Sequence, residues 1–323
     1  MYGMMLTIYR DTVSRSGRRG RRPLHLTYEV MTLLTKTEFS ELLSRGPLLL
    51  DGATGSNLQK MGMPRGCCTE EWILNHPEAI LDLQRRYAEA GSHIVYAPTF
   101  QAQPIPLSQV RLDRQTEAIN AMLVALSKKA APGLLVAGDL TTMATFIDSY
   151  DTALFDTMVE NYRRQIAGLL EGGADLLAAE TLLYPQDAEA ILTAAELEGA
   201  QTVMYTFTMQ PDGSLFSGMD AGKVLREMEE SGAAAVGFNC VAADMMTPYL
   251  VSRLRRSVKG PLICKPNAGI PVIKPGNVVE YPMTPDEFAG IVGECHAMGA
   301  KILGGCCGTA PEYIAAVKER VCK

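Results

Sequence analysis

The segment Glu171-Gly172-Gly173-Ala174-Asp175-Leu176-Leu177-Ala178-Ala179-Glu180 predicts how this chain folds. A helical pattern over Leu154–Glu171 stops at two glycines, which commonly end helices because glycine readily adopts the left-handed backbone conformation found there. A short apolar run follows immediately and ends at a charged residue, which is typical of a buried strand in a parallel sheet. The segment therefore predicts a helix that leads directly into a buried parallel strand.

The same alternation of strand and helix occurs eight times from residue 48 onward. The predicted strands are Leu48–Asp51, His93–Ala97, Leu134–Asp139, Asp175–Glu180, Thr202–Thr208, Ala234–Asn239, Pro261–Lys265 and Lys301–Gly304. The predicted helices include Pro77–Ala90, Gln115–Ala130, Leu154–Glu171, Pro185–Glu198 and Thr284–Met298. Eight such units are typical of a single (β/α)8 TIM barrel. The alternative is a doubly wound open sheet, which is less favoured because no Gly-x-Gly-x-x-Gly motif follows the first strand.

The composition excludes several classes of protein. A formal net charge of -6 argues against nucleic acid as a partner, because a nucleic-acid-binding surface would be basic. No run of about 18 apolar residues is present, so we expect no membrane-spanning segment. The 8 cysteines are too sparse for a disulfide scaffold, and no secretory signal precedes them. These features predict a protein of the reducing cytoplasm.

Residues 1–30 differ from the rest of the chain. They contain six arginines against only Asp11 and Glu29, and they lack apolar periodicity. An arginine-rich leader of this kind is found in transit peptides. The alternatives are a flexible extension or an upstream start codon, with Met31 as the native first residue. We expect a disordered basic extension over residues 1–30 and one barrel domain over residues 31–323.

In a TIM barrel, the residues that act on a substrate lie at the carboxyl ends of the strands. The polar residues predicted at those ends are Asp51, Thr99, Asp139, Glu180, Thr206, Asn239, Cys240, Asn267, Cys306 and Cys307. Because all eight strands open onto the same face, we expect these side chains to surround one site.

Cysteines at two strand ends predict a metal site. Cys306 and Cys307 are adjacent within a glycine-rich turn after the eighth strand, and Cys240 follows the sixth strand. Adjacent cysteines are poorly placed to bond to each other, but three thiolates can bind zinc and leave its fourth position open for a substrate. The alternative is three buried cysteines acting as small hydrophobic residues. That alternative does not explain why all three follow strands, so we predict Zn²⁺ at this trio.

The remaining cysteines and the histidines suggest no second metal site. Cys67 and Cys68 are adjacent but have no third partner, so their adjacency is interpreted as incidental. Cys264, Cys295 and Cys322 are predicted to be core residues rather than ligands. No histidine lies at a strand end, which disfavours a histidine-based hydrolytic zinc site.

Two carboxylates and a glycine-rich turn suggest an amino-acid ligand. Asp51 directly precedes Gly52-Ala53-Thr54-Gly55, so a carboxylate for an ammonium group stands next to backbone N–H donors for a carboxylate. Glu180 would provide a second anion for the ammonium group. The alternative for each, and equally for Asp139, is a structural carboxylate bonded to nearby backbone.

These motifs resemble the homocysteine S-methyltransferase family, and most closely the N-terminal homocysteine module of cobalamin-dependent methionine synthase. The resemblance covers about residues 48–316. It rests on Asp51-Gly52-Ala53-Thr54-Gly55-Ser56, Thr99-Phe100, Gly138-Asp139, Glu180-Thr181, Gly237-Phe238-Asn239-Cys240, Pro266-Asn267-Ala268-Gly269 and Gly304 to Thr309.

The resemblance implies a zinc-dependent methyltransferase that converts homocysteine to methionine. Its catalytic centre and zinc ligands would be Cys240, Cys306 and Cys307. The substrate-binding residues would be Asp51 and Glu180 for the amino group, the backbone at Ala53 and Thr54 for the carboxylate, and Asn239. Zinc-bound homocysteine would be deprotonated and its sulfur would attack an electrophilic methyl group.

The sequence favours one methyl donor and leaves several alternatives open. Ala97-Pro98-Thr99-Phe100-Gln101-Ala102 and Leu140-Thr141-Thr142-Met143 differ from the segments common at those positions in the family. We expect a methylcorrinoid donor, because the Gly308-Thr309 ending and Pro266-Asn267-Ala268-Gly269 resemble the cobalamin-type module. A separate protein would carry it, because this chain has no Asp-x-His-x-x-Gly cobalamin signature. The alternatives are S-methylmethionine or betaine as donor, the same chemistry on another thiol, or a non-catalytic thiol-binding partner of a corrinoid protein.

Overall fold

The computed structural model describes residues 33–149, 151–243, 247–275 and 278–322. Its strands are β1 Leu48–Leu49, β2 Ile94–Tyr96, β3 Leu135–Thr141, β4 Leu176–Leu182, β5 Val203–Phe207, β6 Ala235–Ala242, β7 Leu262–Asn267, β8 Val272–Lys274, β9 Val278–Glu280 and β10 Ala300–Leu303. Eight of them form one parallel sheet in the order β1-β10-β7-β6-β5-β4-β3-β2. A parallel bridge between Leu50 and Ile94 joins the two edge strands. The sheet closes into a barrel, and the predicted (β/α)8 fold is confirmed.

Helices surround this barrel, and all but the first of them come after a strand. They are α1 Lys36–Ser44, α2 Gly55–Lys60, α3 Thr69–Asn75, α4 Pro77–Ala90, α5 Pro104–Ser108, α6 Thr116–Ala130, α7 Phe155–Glu171, α8 Pro185–Leu197, α9 Ala221–Glu230, α10 Thr247–Arg255, α11 Pro285–Ala297 and α12 Pro311–Val321. The predicted helix α4 has the predicted bounds, with a proline in its first turn and Gly91 (φ 100°) after its last residue. None of the helices described is long and apolar enough to cross a membrane.

The predicted barrel strands are all present, but several are longer than predicted. β3, β4, β6 and β7 continue two or three residues past their predicted ends. Because alternate residues of a strand face the barrel interior, the longer strands place Asp139, Glu180, Asn239 and Lys265 within the sheet rather than at its edge. The extension of β6 also places Cys240 within a strand rather than after one.

The barrel interior is apolar at one end and polar at the other. Its apolar layers include Leu48, Ile94, Ala137, Leu176, Met204, Ala235, Ile263 and Ile302. Two or four residues farther along six of these strands, the inward positions are occupied by Tyr96, Asp139, Glu180, Thr206, Asn239 and Lys265. The polar layer faces the carboxyl ends of the strands, where the site was predicted.

Helix α1 closes the other end of the barrel. The helix begins with a capping box in which Thr35 and Glu38 satisfy each other's backbone N–H groups. Its Phe39 is 2% exposed and packs in the same cluster as the apolar interior residues. This helix was not predicted from the sequence. The predicted extension over residues 1–30 lies outside the described residues.

Candidate active site

The three predicted cysteines come together at the carboxyl end of the barrel. The Sγ atoms of Cys240, Cys306 and Cys307 all lie within 4.8 Å of one another. Two ligands held about 2.3 Å from one tetrahedral zinc ion are about 3.8 Å apart, so the trio fits such an ion with little movement. Three thiol donors from two strands leave one coordination position for a ligand from the cavity. The residues present therefore suit zinc.

The thiols of this trio influence one another's ionisation. Hydrogen bonds from Cys240 and Cys306 lower the pKa of Cys307 to about 3, and Tyr281 contributes to the same effect. The pKa of Cys240 is raised because its thiol hydrogen-bonds to Cys306 and Cys307. One thiol of the trio is therefore ionised near neutral pH, as a metal ligand must be.

The backbone around the trio adopts conformations that are rare for residues with a side chain. Cys240 and Thr181 both have a φ of 58°, in the left-handed region, which costs roughly 1–3 kcal/mol at each non-glycine residue. Asn239 holds the two together: its Oδ1 accepts from the Thr181 N–H (2.8 Å) and its Nδ2 donates to Thr181 Oγ1 (2.7 Å). The same Nδ2 lies 3.7 Å from Cys306 Sγ. Asn239 is 0% exposed and acts on the site through these neighbours.

The turn that carries Cys306 and Cys307 depends on glycine. Gly308 has a φ of 84°, and a Cβ there would lie 2.2 Å from Cγ of Tyr281. A Cβ on Gly305 would lie 2.4 Å from Thr309 Oγ1. The close approach that these glycines permit lets two adjacent thiols face the same point.

The predicted carboxylates lie beside the trio in one cavity of about 260 Å³. Asp51 is 1% exposed; its Oδ2 accepts from the backbone N–H of Tyr96 (2.8 Å), and its Oδ1 has no partner among the described residues. Burial raises the pKa of Asp51 to about 7, although Lys265 acts in the opposite direction. Ala53 and Thr54 also line the cavity. The Ala53 N–H already donates to Thr309 Oγ1 (3.2 Å), so Thr54 is freer to bind a ligand through its backbone.

Lys265 is a central residue of the site that the sequence analysis missed. Its Nζ donates to Glu180 Oε2 at 2.8 Å and lies 4.8 Å from the centre of the Tyr96 ring. Burial alone would lower the pKa of Lys265, but the charges of Glu180 and Asp51 raise it well above its usual value. Lysine is almost never buried without a partner, and this one is 3% exposed. A signal was present: Lys265 is two residues from Ile263, which faces the interior.

Glu70 is a second residue of the cavity that the sequence analysis did not identify. It lies in the first turn of α3 and is 3% exposed. Its Oε1 accepts from the backbone N–H of Gln101 (2.8 Å), in the segment that follows β2. Glu70 therefore fixes one side of the cavity mouth.

The predictions for the cysteines outside the trio were correct in part. Cys264 and Cys295 are buried, as predicted. Cys322 is exposed, so the prediction that it is a core residue was wrong; helix α12 ends at Val321 and nothing covers the following residue within the described part of the chain. Cys67 is exposed and Cys68 half-buried, and neither belongs to the trio.

Comparisons with known proteins agree with this geometry. The family model described as Homocysteine S-methyltransferase matches residues 48–321. The chain is 26% identical over 306 residues to the methionine synthase of Mycobacterium leprae (strain TN), covering 89% of this chain and 25% of that protein. The corresponding protein of Mycobacterium tuberculosis (strain ATCC 25618 / H37Rv) is also 26% identical, with 89% and 26% covered. The chain thus spans about a quarter of the length of these relatives.

A solved structure is similar over nearly its whole length. The metallated form of the homocysteine methyltransferase MmuM from Escherichia coli superposes with a TM-score of 0.73 and is 26% identical. The match covers 87% of this chain and 98% of that chain.

Proposed function

Because the chain belongs to the homocysteine S-methyltransferase family, we propose that it transfers a methyl group to the sulfur of homocysteine, giving methionine. The observation that carries this proposal is the convergence of three thiols beside buried carboxylates in a single cavity. Cys240, Cys306 and Cys307 would hold a zinc ion. A bound zinc would lower the pKa of the homocysteine thiol and so supply a nucleophilic thiolate at neutral pH.

The residues of the chain bind and orient the substrate. We place the homocysteine sulfur at the three thiols, its ammonium group near Asp51 and Glu180, and its carboxylate at the backbone of Ala53 and Thr54. Asn239, proposed from the sequence as a substrate-binding residue, would serve the substrate indirectly by positioning the thiol of Cys306. Such fixed placement brings the sulfur within reach of an incoming methyl group.

For the donor, we propose a methylcorrinoid carried by a separate protein. Large apolar side chains are exposed on segments that follow the carboxyl ends of β5 and β7, namely Phe216 (54%), Ile270 (49%) and Ile273 (73%). The antiparallel pair of β8 and β9, which the sequence analysis did not predict, carries the last of these. Exposed apolar groups on the carboxyl face of the barrel, where the cavity lies, favour the docking of a protein there.

The donor is tested with zinc-loaded protein, homocysteine and one of three methyl compounds. We expect zinc-dependent formation of methionine from methylcobalamin, detected by chromatography. Cys306→Ser protein serves as the control that lacks the thiol site. Rapid methionine formation from S-methylmethionine or betaine, with none from methylcobalamin, would reject the corrinoid as donor while retaining the methyltransferase. Formation of methionine from none of the three would favour a non-catalytic thiol-binding protein.

Homocysteine binding is expected to depend on pH through Asp51. Burial raises the pKa of Asp51 to about 7, so its carboxyl is mostly neutral at about pH 6 and mostly ionised at about pH 8. Only the ionised form attracts an ammonium group, so affinity rises with pH. The ratio of homocysteine affinity to that of 4-mercaptobutyrate, which lacks the amino group, should rise about tenfold over this range.

Calorimetry on zinc-loaded protein measures both affinities. Because both ligands carry a thiol, the effect of thiol ionisation on affinity largely cancels in the ratio. In Asp51→Asn the ratio should be smaller and independent of pH. A ratio that rises equally in the wild type and in Asp51→Asn would show that another group is responsible.

A further inference from the structure

Two residues that line the cavity each have a carboxylate oxygen without a hydrogen-bond partner among the described residues. Oδ1 of Asp51 and Oδ1 of Asp139 are both buried, and neither accepts a hydrogen bond from any described residue. The two side chains are 1% and 5% exposed, and both residues line the cavity. Leaving a buried polar atom without a partner is costly. The two free oxygens therefore indicate a ligand that brings its own N–H donors.

Glu180 differs from these two aspartates. Its Oε2 already accepts from Lys265 at 2.8 Å, so it has a cationic partner within the protein. Three buried carboxyl groups thus face a single lysine, and among the described residues Asp51 and Asp139 are the two that form no ion pair with it. A cation entering the cavity would be attracted to this pair.

The fold places the pair beside the thiols. Asp51 follows β1, and its Oδ2 is bonded to Tyr96 of β2; Asp139 is on β3, the next strand. Asp139 is in register with Ala178, two residues before Glu180 on β4. Burial raises the pKa of the Asp139 carboxyl well above its usual value, and the neighbouring charges of Glu180, Asp51 and Cys306 act in the same direction.

We propose that Asp139 is a specificity-determining residue that, together with Asp51, receives the α-ammonium group of the thiol substrate. Lys265 acts as a positioning residue that holds Glu180 at the edge of this pair. The proposal rests on the proposed function and narrows its substrate class to α-amino thiols. An α-ammonium group has three N–H donors, which is enough to satisfy both free oxygens. A thiol without the amino group would leave both oxygens unpaired, and a site of this kind discriminates strongly against such a ligand.

The test compares two ligands and two variants by calorimetry. The ligands are homocysteine and 4-mercaptobutyrate; the proteins are zinc-loaded wild type, Asp139→Asn and Asp139→Ser. We expect Asp139→Asn to bind homocysteine about 10- to 100-fold more weakly, as is usual for the loss of one charged hydrogen bond. Binding of 4-mercaptobutyrate should change less than about threefold. Zinc content and thermal unfolding confirm that each variant is folded, and Asp139→Ser supplies the same comparison if the asparagine does not fold.

The outcomes separate this inference from the function on which it rests. Equal weakening of both ligands would show that Asp139 has only a structural role, and unchanged homocysteine binding would show that it does not contact the ammonium group. Either result overturns the inference and leaves the proposed function standing. A wild-type protein that fails to bind homocysteine would overturn both.

Discussion

Cys306→Ser protein is expected to lose its zinc, falling from about one equivalent per chain to nearly none. The serine hydroxyl is a far weaker ligand than a thiolate, and Cys306 is the buried member of the trio. Methionine formation should be lost with the metal. Elemental analysis of protein purified without chelators measures the first effect, and an assay with homocysteine and the methyl donor measures the second.

Matched controls for this substitution are available in the same chain. Cys67→Ser and Cys322→Ser remove thiols that are exposed and lie outside the trio, so both should retain zinc and activity. Zinc retained at one equivalent by Cys306→Ser, or absent from carefully prepared wild type, would contradict the assignment of the metal site.

Lys265→Met is expected to destabilise the protein by about 3–5 kcal/mol at pH 8, because removal of one partner leaves a buried charge uncompensated. The variant should lose stability as the pH rises. Without the lysine, the folded state holds Glu180 protonated to a higher pH than the unfolded chain does, so unfolding releases a proton. The loss of stability in Lys265→Met is therefore smallest in mild acid. It grows as the pH rises through the elevated pKa of Glu180 in the folded variant.

Urea unfolding at about pH 5.5 and pH 8 measures this effect. The double variant Lys265→Met, Glu180→Gln removes both charges and should recover most of the lost stability, because two neutral groups replace the ion pair. Equal stability of wild type and Lys265→Met at pH 8 would show that the pair contributes nothing. Equal losses in the single and double variants would show that methionine simply packs badly at this position.

The sequence predicted the barrel and the thiol trio because both depend on local and repeated signals. Each strand is an apolar run between turn residues, and Cys240, Cys306 and Cys307 fall where strands of this fold deliver functional groups. The prediction required no knowledge of which residues touch. The prediction failed for residues whose position in the site or core depends on side-chain direction or on packing against distant segments.

The residues that the sequence analysis missed show this limit. Lys265 is the last residue of the predicted strand Pro261–Lys265, but Asn267, two residues farther on, was the polar residue predicted at that strand end. Glu70 lies in an acidic first helical turn, where a carboxylate is ordinarily exposed and interacts with the helix dipole. Its burial depends on the segment around Gln101, which the local sequence does not determine. Phe39 is apolar, but no neighbouring residue in the sequence indicates that its side chain fills the amino-terminal end of the barrel.

The position of Phe39 restricts the order of events in the proposed reaction. Since this side chain fills the amino-terminal end of the barrel, the cavity of the described structure is approached from the opposite face alone. The acceptor thiol belongs at the inner end of that passage and the methyl donor above it. In the proposed reaction homocysteine would therefore enter first, the donor would cover it, and methionine would leave after the spent donor. Turnover would then follow a compulsory order through a ternary complex rather than two independent half-reactions.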